Sequence, residues 1–271
     1  MEKFTHFPED VIDFILRLTI TPVFILSLVC KYFNKKVFNI KLRAINEDSY
    51  PLLRDNQLKF LTNIESLRLS SLRYSYISGE SIKYLTNLKY LRLPYSAQVD
   101  DKNIVNLTNL KSLDLRWNMN ITDYAVMSLN RLQSLDLRGN RRITSACLDV
   151  LSNFKTLTYL NLRYNNNITG ITLKKLTTLR FLNLRRNDVI TDDHLSELTN
   201  LVFLNLRDNN VITDQSLKFL INLIHLKLKC NNMITIEGIK ALCSLKVLNL
   251  TYNKTITHES LMNFTNLKIL R

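Results

Sequence analysis

The feature that most constrains this 271-residue chain is a leucine pattern returning at nearly fixed spacing. Leu110-Lys-Ser-Leu113-Asp-Leu115-Arg-Trp-Asn118 is followed by Leu132-Gln-Ser-Leu135-Asp-Leu137-Arg-Gly-Asn140. Units starting at Leu157, Leu179, Leu201, Leu223 and Leu245 repeat it and reach Asn165, Asn187, Asn209, Asn231 and Asn253. Two looser units start at Ile64 and Leu88, and a truncated tenth starts at Leu267. The starts are mostly 22 residues apart, with one interval of 24 and one of 25. A period of this length means stacked copies of one small unit, because no unit can bury its own apolar face alone.

The spacing inside a unit dictates its shape. Counting from the first leucine, positions four and six point to one side of a short strand, while three, five and seven point to the other. Stacking buries the leucine side of a parallel sheet. The Asn at position nine suits a turn, with an amide able to satisfy backbone groups of the neighbouring coil. Ile-Thr pairs follow, at Ile121-Thr122, Ile143-Thr144, Ile190-Thr191 and Ile212-Thr213. The Ile belongs in the core and the Thr at a helix N-cap. Asp123, Asp192 and Asp214 come next and suit the positive end of a helix dipole. Asp214-Gln-Ser-Leu217-Lys-Phe-Leu220 has the apolar spacing of a one-sided helix. The pattern resembles that of leucine-rich-repeat proteins. The expected fold is α/β, a solenoid with parallel strands on the concave side and short helices on the convex side.

Composition narrows the setting. The formal net charge is +14 at pH 7, which favours acidic partners. The longest apolar stretch, Val23 to Cys30, is far short of the ~20 residues that span a bilayer. Glu2, Glu9, Asp10 and Asp13 do not suit a secretory leader, so an intracellular protein, cytoplasmic or nuclear and without membrane contact, is expected. Cys30, Cys147, Cys230 and Cys243 show no metal-binding spacing and are expected to be small buried hydrophobes. No metal or other cofactor is expected.

The first forty residues carry no repeat and read as two helices, with Pro8 and Pro22 where each begins. Phe7-Pro8-Glu9-Asp10-Val11-Ile12-Asp13-Phe14-Ile15-Leu16 is similar to the opening of an F-box, with Phe7 in place of the usual leucine. Leu26-Ser27-Leu28-Val29-Cys30-Lys31-Tyr32-Phe33 is similar to its second half. The resemblance covers about residues 4–40. Together with the repeats it resembles the F-box/leucine-rich-repeat substrate receptors of SCF-type ubiquitin ligases. It implies a small all-helical F-box domain over 1–40, a divergent first repeat or cap over 41–63, and repeats over 64–271. It further implies that Phe7, Pro8, Ile12, Ile15, Leu26, Val29 and Phe33 pack in or against a Skp1-like adaptor, and through it reach a cullin. The alternative is a helical cap for the solenoid.

The repeat face offers a second site. Position seven reads Arg116, Arg138, Arg163, Arg185, Arg207 and Lys229. Strands ~4.8 Å apart bring these cations close, with roughly 0.8 kcal/mol of repulsion per pair in water. The fold itself does not need them. Position five, Asp114, Asp136, Asn161, Asn183, Asn205 and Lys227, offsets this charge only at its start. Position three places Tyr159, Phe181, Phe203 and His225 alongside, and Trp117 follows Arg116. Such a face suits an acidic or phosphorylated protein segment, with Trp117 either an anchor or a cover for the turn. Alternatives are a bare interaction scaffold, or single-stranded nucleic acid bound through phosphate contacts and base stacking. The histidines His6, His194, His225 and His258 are scattered over unrelated positions, and there is no glycine-rich phosphate loop, so no intrinsic catalysis is expected.

Overall fold

The computed structural model describes residues 44–46, 54–59, 61–69, 77–95, 98–257, 259–262, 264 and 267–270. The residues proposed to meet an adaptor, Phe7 to Phe33, lie outside them. The described residues form two compact units. One holds those up to Asp114 together with Asn118–Leu129, and the other holds Leu115–Trp117 and those from Asn130 onward.

The first unit carries parallel strands β1 (Ala44–Asn46), β2 (Ser66–Arg68), β3 (Tyr90–Arg92) and β4 (Ser112–Asp114), each paired with the next. Between and after them lie short helices α1 (Asp55–Leu58), α2 (Asp101–Ile104) and α3 (Asp123–Met127), and a 3-10 turn at Ile82–Tyr84. The second unit continues with β5 (Ser134–Asp136), β6 (Tyr159–Asn161), β7 (Phe181–Asn183), β8 (Phe203–Asn205), β9 (His225–Lys227), β10 (Val247–Asn249) and β11 (Lys268–Leu270). All pair in parallel with equivalent residues opposite, as in Phe181↔Phe203. Its helices are α4 (Ser145–Phe154), α5 (Gly170–Leu173), α6 (Asp192–Leu195), α7 (Asp214–Leu217) and α8 (Ile236–Lys240).

Most helices are a single turn, shorter than the spacing of Asp214 to Leu220 suggests. The chain leaves them through tight turns, as in Leu220 N–H to Leu217 O at 2.9 Å and Leu223 N–H to Leu220 O at 3.0 Å. The 25-residue repeat spends its three extra residues on α4, ten residues long and ended by Lys155 in the left-handed region at φ 52°. Framework leucines such as Leu160, Leu182, Leu204 and Leu226 are fully buried. Of the cysteines, Cys147 is buried, but Cys230 is half-buried and Cys243 exposed. That corrects the expectation of buried hydrophobes: Cys230 occupies a turn and Cys243 follows α8, and neither place faces the core.

The position-nine asparagines form a buried ladder. The Asn209 Nδ2 donates to Asn187 O, and Asn231 Nδ2 to Asn209 O, both at 2.6 Å. Each Oδ1 accepts from the incoming Ile, at 3.0 Å for both Ile190 and Ile212. One side chain thus ties its own turn to the coil before it. A second, exposed ladder explains the recurring Leu-Thr-Asn: Asn200 donates to Thr177 O at 2.9 Å and Asn222 to Thr199 O at 3.0 Å.

The threonine caps form as expected, with Thr122, Thr144, Thr213 and Thr235 accepting from the second helical N–H. The aspartates after them do more than complement a dipole. Asp192 accepts from the Thr213 hydroxyl at 2.7 Å and its N–H at 3.1 Å, one repeat later. Asp214 accepts in the same way from Thr235, at 2.5 and 2.9 Å, and Asp101 from Thr122, at 2.5 and 2.8 Å. Space for such a carboxylate requires a small residue at the third helical position of the next repeat, which is Ser216 after Asp192, Gly238 after Asp214 and Ala125 after Asp101. A Cβ on Gly238 would lie 2.2 Å from Asp214 Oδ1.

Two junctions invert the arrangement. Gly170 replaces the aspartate, and the ring of His194 from the next repeat fills the room, where a Cβ at 170 would come within 1.9 Å of it. His194 Nδ1 accepts from Thr191 N–H at 3.1 Å and supplies the cap. Gly79 and Asn103 pair likewise, with Asn103 Oδ1 accepting from Asp100 N–H at 2.9 Å. Gly170→Ala is expected to destabilise the fold by about 2 kcal/mol through overpacking. Adding His194→Ala should recover most of that loss in a chemical-denaturation double-mutant cycle, whereas additive losses would contradict the interlock.

Candidate functional site

On the strand face of the second unit the sequence columns become three lanes. Position three supplies an aromatic lane in which rings stack on one another. Centroids are 4.4 Å apart for Tyr159 and Phe181, at 16° between planes, and 3.9 Å for Phe181 and Phe203, at 7°. His225 follows, tilted and 6.3 Å from Phe203. The faces of Phe181 are therefore covered by its neighbours, and edges rather than faces meet solvent. Lys227 Nζ lies 5.2 Å from the Phe203 ring.

Position five supplies an amide lane with a fixed polarity. Asn161 Oδ1 accepts from Arg163 N–H, Asn183 from Arg185 N–H and Asn249 from Thr251 N–H at 3.1 Å, and Asn205 from Arg207 N–H at 3.0 Å. A backbone donor selects the oxygen, so the NH2 end of each amide is turned away from that turn. Asn161 Nδ2 donates to Asp136 at 3.1 Å.

Position seven is the cationic lane. Arg116 Nε lies 3.8 Å from Asp136, and in the first unit Arg92 Nε lies 3.3 Å from Asp114. Carboxylates thus offset the lane at its start, as the sequence suggests. The sequence reading missed a third carboxylate. Asp208 sits at position eight with Arg185, Arg186 and Arg207 Nε at 3.1, 3.2 and 3.5 Å. Burial pushes its carboxyl up, but the hydrogen bond from Arg185 and the charges of Arg185, Arg186 and Arg207 outweigh it and hold the group below the usual carboxylate range. Between these acids lie Arg138 and Arg163; their Nε atoms, like those of Arg92 and Arg207, are buried without a hydrogen-bond partner. The Arg163 guanidinium is 4.8 Å from the Tyr164 ring.

Position eight carries a further signal hidden from sequence inspection. Trp117, Gly139, Tyr164, Arg186, Asp208, Cys230 and Tyr252 all have φ between 51° and 60°. Non-glycine residues are disfavoured there by roughly 1–2 kcal/mol each. From Trp117 to Cys230 the turn is held because each of these N–H groups donates across to position seven of the next repeat, as Tyr164 does to Arg185 O at 3.1 Å and Asp208 to Lys229 O at 3.0 Å. Only one of these positions is glycine, so composition gives no clue to the conformation. The conformation sets Tyr164, Asp208 and Tyr252 beside the cations, with Lys229 Nζ 5.0 Å from the Tyr252 ring. Arg186 Nη1 donates to the Tyr164 hydroxyl at 3.0 Å. Hydrogen bonding to Arg163, with the charges of Arg186, Arg163 and Arg185, outweighs burial and holds that phenol below its ordinary value. Trp117 covers the turn: a Cβ on Gly139 would fall 2.3 Å from its ring, and Tyr164 lies 6.0 Å away.

The amide and cationic lanes enclose a hollow of about 310 Å³. Arg138, Arg163, Asn183, Arg185, Asn205, Arg207, Lys227, Lys229 and Asn249 line it, without a carboxylate. Among the described residues there is no group of three His, Cys, Asp or Glu suited to a metal ion, and no helix long and apolar enough to cross a membrane.

Leucine-rich-repeat family models match residues 130–189 and, in a second form, 106–129, 197–221, 219–243 and 243–264, together more than half of the chain. The chain belongs to the leucine-rich-repeat proteins. No curated protein sequence matches it. Among solved structures, internalin C2 of Listeria monocytogenes is 30% identical over 66% of this chain and 75% of its own, with a TM-score of 0.49. Rad7, in the yeast Rad7–Elc1 complex, is 17% identical over 89% of this chain and 70% of its own, with a TM-score of 0.51. The Drosophila Toll–Spatzle complex matches at 14% identity over 84% of this chain and 35% of that one, with a TM-score of 0.61. The likenesses to Rad7 and Toll bear on the fold alone. Leucine-rich-repeat proteins bind protein partners.

Because the Asp208 carboxyl is held low, its contribution to stability is full above its unfolded value of about 3.9 and is lost as pH falls through its lower folded value. Asp208→Asn should therefore be less stable than the parent chain near neutral pH, with the gap closing in acid. A gap that is unchanged down to strongly acidic pH would contradict the ion pairing.

Proposed function

We propose that this protein is the substrate-recognition subunit of an SCF-type ubiquitin ligase. The segment resembling an F-box docks a Skp1-like adaptor, and through it a cullin. The strand face of the second unit binds an acidic or phosphorylated segment of a protein substrate. The chain itself performs no chemistry, and ubiquitin transfer belongs to other subunits.

The observation that carries the substrate half is the hollow lined by six cations and three asparagines without a carboxylate. A surface so rich in donors is stabilised by a ligand that brings acceptors and negative charge. The adaptor half rests on the residues from Phe7 to Phe33, read beside a repeat type that the family models match. Rad7, of the same fold, was itself solved in complex with a partner protein, Elc1. The aromatic lane weighs against single-stranded nucleic acid, since base stacking needs open ring faces and these rings cover one another.

Binding of purified Skp1 to the full chain and to a chain lacking residues 1–40 tests the adaptor half. Tight binding that requires the segment is the expected outcome. A folded full chain that ignores Skp1 would reduce the protein to an interaction scaffold. Partner binding to the strand face should weaken as salt is raised, as expected for pairing between exposed charges.

A further inference from the structure

We infer that the hollow on the strand face of the second unit is a phosphate-recognition site, centred on Arg138 and Arg163, for a phosphorylated side chain in an extended protein segment. This rests on the partner-binding reading above and specifies its chemistry.

Three observations converge. Along the cationic lane the Nε donors of Arg138, Arg163 and Arg207 are buried without a hydrogen-bond partner. Arg207, however, has the Asp208 carboxylate at 3.5 Å, Arg185 has it at 3.1 Å and Arg116 has Asp136 at 3.8 Å, so Arg138 and Arg163 lie in the gap between the carboxylates. Leaving a buried donor unmade is unfavourable, and an incoming oxygen removes that penalty. Next, the hollow presents donors almost alone. Its Asn183, Asn205 and Asn249 use their Oδ1 atoms on the backbone and keep their NH2 ends for a ligand. A carboxylate has two coplanar oxygens, which one guanidinium fork satisfies. A phosphate monoester has three terminal oxygens and nearly two charges at pH 7, and suits donors arriving from several repeats. Third, the Tyr164 ring lies under Arg163 and receives Arg186, an arrangement that restrains the guanidinium and lessens the entropy lost on binding.

The footprint follows from the strand spacing. The hollow runs from the β5 repeat to the β10 repeat, five intervals of ~4.8 Å, and an extended segment at ~3.3 Å per residue crosses it in about seven residues. The aromatic lane runs beside it as an apolar edge for alternate side chains. Asp208 then acts as an internal counter-ion, occupying the next three arginines when no ligand is present.

The test uses the full chain and degenerate heptapeptide libraries with a fixed central phosphoserine, glutamate or serine, read by fluorescence anisotropy. The phosphoserine library should bind about tenfold or more tighter than the glutamate library, because phosphate makes more charge-assisted bonds. Arg163→Lys and Arg138→Lys keep the charge but lose the fork, and should erase most of that preference without shifting the unfolding midpoint. Asp208→Asn should tighten phosphopeptide binding, a gain that a purely structural role for Asp208 would not give. Inorganic phosphate should compete only at far higher concentration than the peptide.

Equal binding of phosphoserine and glutamate libraries would overturn the phosphate assignment while leaving an acidic-segment reading and Skp1 binding untouched. Binding to neither would remove both substrate readings. Oligothymidylate binding as tightly as the phosphopeptides would overturn the proposal in favour of nucleic acid, and inorganic phosphate competing as well as the peptide would reduce the site to one for free anions.

Discussion

The structure depends on one buried interaction, the position-nine asparagine bridging its own turn to the coil before it. Asn187, Asn209 and Asn231 are fully buried, and each satisfies carbonyls of the preceding coil and amides of its own. A parallel strand of only three residues cannot hold a turn alone. The ladder supplies backbone partners that the brief strand lacks, and it fixes the pitch at which leucines interlock. To reach it, the chain must turn through a left-handed residue at position eight. The same turn that permits the ladder thus decides which side chains stand beside the cationic lane.

That coupling joins architecture to function. A duplicated Leu-Arg explains why cations recur at position seven, and it does not explain how they remain stacked. The structure answers with graded compensation. Carboxylates at position five serve the start of the lane, Asp208 serves Arg185 and Arg207 further along, and the rings of Tyr164 and Tyr252 lie beside Arg163 and Lys229. Arg138 and Arg163 are the two left between the carboxylates, with Nε atoms that, like that of Arg207, are buried without a hydrogen-bond partner. The asparagines of position five add polarity, because the backbone takes their oxygens and leaves their amino groups.

Much of the fold was legible from the residues. The leucine spacing gave strand, turn and helix in each unit, and Ile-Thr marked the caps, because these arise from contacts repeated within every copy. Less legible were features set between copies. Asp192 read as a dipole partner and proved to be the clasp on Thr213, while Gly170 gave no hint that His194 fills its place. For the site, the columns of Arg163, Arg185 and Phe181 stood out because periodicity places them on one face. Tyr164, Arg186 and Asp208 did not, since a left-handed turn at a tyrosine, an arginine or an aspartate leaves no mark in composition. Trp117, open to two readings in the sequence, covers the Gly139 turn.

The central claim is that Arg138 and Arg163, the guanidinium groups that lie between the carboxylates on the strand face, carry recognition. It is tested most directly by following arginine Nε–H signals in nuclear magnetic resonance while the full chain is titrated with phosphoserine peptide. The account predicts that the Arg138 and Arg163 signals shift first and become protected from exchange, ahead of exposed Arg141 and Arg142. Shifts spread evenly over all arginines, or confined to the exposed ones, would contradict it and reduce the lane to a diffuse positive surface.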